Sequence, residues 1–110
     1  MPYVRVIHSG NIDKTQELAA AISKATASAL QKPEIYVCCD VQHNGNLLFG
    51  GDSTPSAMIQ VQSIGGSCSK VCDALTKTTS SILGIDGSRI FVNFQCFQAA
   101  EWGMGGSTFA

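Results

Sequence analysis

The chain has 110 residues, 45% hydrophobic and 14% charged, with a formal net charge of −1, which fits one domain (1–110) and excludes disorder. Its seven Lys and Arg are scattered rather than striped, so nucleic acid is not an expected partner. No apolar run approaches the roughly 20 residues that span a bilayer and no signal peptide is apparent, so no membrane insertion and a cytoplasmic location are expected.

Met1-Pro2 comes first. Pro2 is a rigid lead-in to a strand, where its missing N–H does no harm. Removal of Met1, permitted by the small second residue, would also turn its ring nitrogen into a free secondary amine. "YVRVI" at 3–7 alternates like a half-buried strand. From Asn11 the period changes: Asp13 with Gln16 resembles a capping box, and Leu18, Ile22, Ala25 and Ala29 predict a helix of about five turns, ended by Pro33. "EIYVCCDVQ" (34–42) reads as an apolar strand, "HNG" as a turn and "NLLF" (46–49) as the returning strand of a hairpin.

After a loop, "GGDSTPS", the pattern restarts. "AMIQVQSI" (57–64) is a strand and "GG" a break; Val71, Leu75, Thr78 and Ile82 mark a second helix, and "RIFVNFQCF" (89–97) a last strand. A fixed offset of 55 positions takes Val4 to Ile59, Val6 to Val61 and Ile35 to Ile90. The chain is thus a duplicated β-α-β unit, with pseudo-repeats at about 2–42 and 57–97. The fold class is α/β (α+β): a four-stranded sheet with both helices on one face. The strands "IYVCCDV" and "IFVNF" read as central and apolar on both faces, so the uncovered face is expected to be closed by self-association into a cyclic oligomer.

The five cysteines, at 38, 39, 68, 72 and 96, include no C-x-x-C. Without a second ligand cluster no metal is expected, and buried reduced thiols are the expectation.

Six pieces occur in order: Pro2, "KPEIYV" (32–37), "LLFGGDSTPSA" (47–57), "SIGG" (63–66), "SRIFVNF" (88–94) and "GSTFA" (106–110). Together they make the chain resemble the macrophage migration inhibitory factor family of the tautomerase superfamily. The resemblance implies a homotrimer whose sheets line a central barrel, with active sites at the subunit interfaces and no cofactor. It implies keto–enol tautomerisation of small aromatic substrates, phenylpyruvate-like and dopachrome-like, with the free Pro2 amine as general base and acid. Lys32 would attract the substrate carboxylate and bias Pro2 toward the free amine. The Ile64 N–H would bond substrate oxygen, Tyr36 and Phe109 would wall the pocket, and Asn93 would reach in from the neighbouring subunit.

Phe91 stands at the pocket rim where the family commonly has tyrosine, which removes a hydroxyl and implies reduced or shifted activity. Met104 takes the aromatic tail position, with Trp102 two residues earlier. "SAMI" (56–59) lacks the family's C-x-x-C, so no thiol–disulfide role is implied. The resemblance also implies secretion without a signal peptide and a cell-surface receptor as partner, although the receptor loop lacks its arginine and carries Asn44. The alternative it implies is a cytokine-like receptor-binding protein with weak or vestigial tautomerase activity.

Overall fold

The computed structural model describes residues 1–110. Its main elements are β1 (Pro2–His8), α1 (Thr15–Leu30), β2 (Cys38–His43), β3 (Ala57–Ile64), α2 (Cys68–Leu83) and β4 (Ile90–Phe97), followed by a small hairpin of β5 (Gly103–Met104) and β6 (Ser107–Thr108). No helix is long and apolar enough to cross a membrane.

The sheet order is β2-β1-β3-β4. β1 runs parallel to β2 and β3 parallel to β4, while β1 and β3 meet antiparallel with Val4 opposite Val61 and Val6 opposite Ile59. Two parallel β-α-β units therefore join back to back. Period-2 alternation in β1 and β3 sends Val4, Val6, Ile59 and Val61 under the helices, where Leu18, Ile22, Val71 and Leu75 close the core.

Several expectations need correction. β2 and β4 are edge strands, not central ones. The uncovered face is not apolar either: Arg5, Asp40, Gln60, Gln62, Asn93 and Gln95 occupy its middle, with apolar Ile7, Met58 and Phe91 at one end. The edge strands look apolar in sequence because their core-facing residues, Cys39 and Val41 on β2 and Val92 and Phe94 on β4, are interleaved with open-face residues that are apolar only in part.

The strand expected at 34–42 begins only at Cys38, because Pro33 (φ −62°, ψ 135°) leads into a 3-10 turn at Glu34–Tyr36. "NLLF" forms no returning strand. Asn44 caps a turn with its side-chain oxygen, and Phe49 makes only a bridge to Asp52, because Gly50 and Gly51 (φ +62° and +75°) fold the chain back at once. Arg89 ties that loop down, donating to the carbonyls of Phe49, Asp52, Thr54 and Pro55 and lying over the Phe49 ring.

The Asp13–Gln16 capping box is also absent. Asn11 accepts from the Asp13 N–H and opens a 3-10 turn at Ile12–Lys14, which displaces the start of α1 to Thr15. On α2, Thr79 rather than Thr78 is buried; the Thr78 hydroxyl donates to the Ala74 carbonyl. Four of the five cysteines are not buried: Cys38, Cys68, Cys72 and Cys96 are exposed, while Cys39 is half-buried and packs against the core.

Candidate active site

A cleft of about 230 Å³ opens at the start of β1. Pro2 forms its floor, Ile35 and Tyr36 one wall, and Trp102, Met104 and Phe109 the other, with Met1 lying within it. Pro2 is buried and held by β1 pairing, opposite Ser63 of β3. Its ring fits the first position of a strand, where no ladder hydrogen bond is lost.

The wall from 33–37 is built by the end of α1. Gln31 sits in the left-handed region (φ +54°), the only non-glycine residue to do so, and closes the helix. Its N–H donates to the Ser28 carbonyl and the Lys32 N–H to the Ala27 carbonyl, a Schellman closure. That turn fixes the backbone of Lys32 and delivers Pro33, after which the Tyr36 N–H donates to the Pro33 carbonyl. Tyr36 and Ile35 are thereby turned outward, Ile35 to 85% exposure.

The opposite wall comes from the C-terminal segment. Gln98 and Glu101 form a reciprocal capping box around a 3-10 turn. Trp102 stands edge-on to Phe97, ring centroids 5.7 Å apart, and the Phe109 N–H donates to the carbonyls of Ala99 and Trp102. Gly105 and Gly106, both at positive φ, make the hairpin turn between β5 and β6. Sequence reasoning placed Trp102 and Met104 near the pocket but missed this hairpin and Ile35. The Gly-Gly pair was the available signal, since a two-residue primed turn needs positive φ at both positions.

The electrostatics favour a neutral amine here. The amino group at Met1 is held below its ordinary value, first by burial and then by the Lys32 ammonium. Both effects disfavour a second cation in the cleft.

One chain unites some of the expected residues and separates others. Pro2, Tyr36 and Phe109 line the same cleft. Lys32 acts on it through its charge without forming a wall, and Ile64 ends β3 one residue beyond the partner of Pro2. Phe91 and Asn93 lie on β4, with β3 between them and β1. Phe91 is level with Met58 and Ile7, five residues along β1 from Pro2 or about 17 Å. It packs on Phe49 at 4.6 Å, beside a second cleft of about 210 Å³ that includes Leu48 and Met58. Asn93 pairs in register with Gln60 on the open face.

A family model described as macrophage migration inhibitory factor matches residues 1–110. A macrophage migration inhibitory factor homolog from Brugia malayi is 33% identical over 116 residues, covering 99% of both chains. Among solved structures, the macrophage migration inhibitory factor homologue from Prochlorococcus marinus is 30% identical with a TM-score of 0.87, covering 98% of this chain and 99% of its own. The macrophage migration inhibitory factor-like protein from Entamoeba histolytica is 29% identical with a TM-score of 0.85, covering 98% of each chain.

Proposed function

The chain belongs to the macrophage migration inhibitory factor family, and from that premise we propose that it is a keto–enol tautomerase acting on small aromatic 2-oxo acids of the phenylpyruvate type and on dopachrome-type compounds. The observation that carries the reading is a buried Pro2 at the floor of an apolar cleft, where burial and Lys32 both hold an amine below its ordinary value. With Met1 removed, the amine in that field is the secondary amine of Pro2. An α-amino group starts near pH 8, so lowering it makes a base that is largely free at neutral pH.

The Pro2 nitrogen takes a proton from the carbon next to the carbonyl, and the C–H pair becomes the new C=C bond. The carbonyl π electrons move to oxygen, which the Ile64 N–H bonds as charge develops and which then takes the proton from the Pro2 ammonium to give the enol. The reverse step returns the proton from the Pro2 ammonium to carbon. Lys32 holds the carboxylate, and Tyr36 and Phe109 sandwich the ring.

Asn93 and Phe91 join the site only from a neighbouring subunit, so the functional unit is a homotrimer. Exposed Leu48, Phe91 and Ile35 and the unpaired outer edges of β2 and β4 support that assembly. A monomer in sedimentation at micromolar concentration would contradict it. Phe91 brings no hydroxyl, so turnover is expected to be weaker than with a tyrosine there, and Phe91→Tyr to raise it. The names of the curated relatives favour a second, compatible activity: a cytokine-like protein that engages a cell-surface receptor.

The direct test is phenylpyruvate turnover by purified protein and by Pro2→Gly. Wild-type turnover lost in Pro2→Gly supports the enzyme. Wild-type turnover no greater than buffer, with leukocyte migration altered equally by both proteins, supports the receptor-binding reading instead.

A further inference from the structure

At the end of β1 opposite the cleft, the fully buried His8 ties three segments together. Its Nδ1 accepts from the Gly10 N–H at 3.1 Å, so that nitrogen carries a lone pair and the proton sits on Nε2. Nε2 then donates to the Thr15 hydroxyl at 2.9 Å, at the first residue of α1. Its main-chain carbonyl accepts from the Asn44 N–H at 2.8 Å, which anchors the turn after β2. Both ring nitrogens are committed in the neutral state. A second proton has nowhere to go except onto Nδ1, where it faces the Gly10 N–H donor.

The surroundings give a cation at His8 no compensation. From β2 the facing group is His43, its register partner, ring centroids 5.2 Å apart and edge to face. From β3 the register partner is Ala57, and that strand carries no ionisable side chain. From α1 the contact is the Thr15 hydroxyl, while Asp13, Lys14 and Glu17 at that end are solvent-exposed. On β2, Asp40 is engaged with Arg5 on the other face of the sheet. A protonated His8 therefore meets a donor, a second imidazole and no carboxylate.

We propose that the His8–His43 pair is an acid-sensitive latch: a proton on His8 opens the turns at 9–14 and 44–46 while the central strands stay paired. Burial, and after it the charge of His43, lowers the titration of His8 below the ordinary histidine value, so the latch is shut at neutral pH. The sign follows from linkage. The unfolded or opened chain takes up the proton first as pH falls, so the stability given by neutral His8 is complete above the ordinary histidine range and is lost on acidification.

The test is an NMR titration of the full wild-type chain and of His43→Gln from pH 8 to pH 4, with hydrogen exchange followed at each pH. At pH 7 His8 should be the neutral Nε2–H tautomer. As it titrates, the protection factors of the Gly10 and Asn44 amides should fall at least tenfold, while those of Val4 and Val61 hold. His43→Gln should raise the pH at which His8 titrates and at which both amides open. Protection at Gly10 unchanged through the His8 titration, an Nδ1–H tautomer at pH 7, or a His8 titration unmoved by His43→Gln would each overturn the latch.

Discussion

Gly66, which joins Ile64 to α2, gives the sharpest packing prediction. An added Cβ there would lie 2.7 Å from Leu30 Cδ2 and 3.5 Å from Phe94 Cζ, at a backbone φ of +90°. Gly65, one residue earlier, has a similar φ of +74° with nothing within 4 Å of its Cβ position. Both substitutions to Ala place a side chain in the left-handed region, at roughly 1–2 kcal/mol, partly offset by about 0.4–1 kcal/mol of lost unfolded-chain freedom. Gly65→Ala should therefore cost about 1 kcal/mol. Gly66→Ala must in addition push the tip of a core leucine, and overpacking adds about 1–2 kcal/mol.

The expected total for Gly66→Ala is about 2–3 kcal/mol, or a melting temperature lower by roughly 10 °C in a domain of this size. Urea unfolding at one fixed protomer concentration, combined with Leu30→Ala in a double-mutant cycle, isolates the contact. Leu30→Ala alone should cost about 2–5 kcal/mol, after which adding Gly66→Ala should cost only about 1 kcal/mol. Equal costs for Gly65→Ala and Gly66→Ala, or no coupling to Leu30, would refute the reasoning.

Two further predictions concern charge. Arg89→Ala removes the donor shared by four carbonyls of the 49–55 loop; because the side chain is half-exposed, the expected loss is about 1–2 kcal/mol, with earlier proteolysis in that loop. Arg89→Lys should recover less than half, since an ammonium cannot fork. Lys32→Gln should shift the acid limb of the pH–rate profile to higher pH: without the neighbouring cation the amine holds its proton more tightly, so the free base appears later as pH rises. The shift should be partial, because burial is the larger cause; an unmoved limb would remove Lys32 from the electrostatics of the site.

How much was legible depended on what each segment packs against. β1 and β3 alternate cleanly because one face meets the helices and the other meets solvent, so Val4, Val6, Ile59 and Val61 could be assigned to the core from the sequence. Leu18, Ile22, Val71 and Leu75 were likewise visible as helical stripes. The edge strands were not, since "IYVCCDV" mixes core-facing Val37, Cys39 and Val41 with residues of the open face, and a continuous apolar run looks the same in either setting. The hairpin at "NLLF" failed because two glycines and the Arg89 clamp supply a tertiary solution that Asn-Gly chemistry does not anticipate.

Of the site, the Pro2–Tyr36–Phe109 grouping was reached only through the family resemblance. Its members lie far apart in the chain, Pro2 and Phe109 at its two ends, and no local spacing reveals that the C-terminal hairpin folds back beside the start of β1. Asn93 and Phe91 lie outside the cleft of a single chain: Phe91, read from the resemblance as a rim residue, packs on Phe49 beside the second cleft instead, and β3 separates both residues from β1.

In the proposed mechanism, removal of Met1 creates the base. The most direct measurement takes samples with different fractions of Met1-free chain, set by intact mass, and determines the initial rate of phenylpyruvate tautomerisation in each. The rate should rise linearly with the fraction beginning at Pro2 and extrapolate to the buffer rate at zero. A rate independent of that fraction would contradict the assignment of Pro2 as the catalytic base.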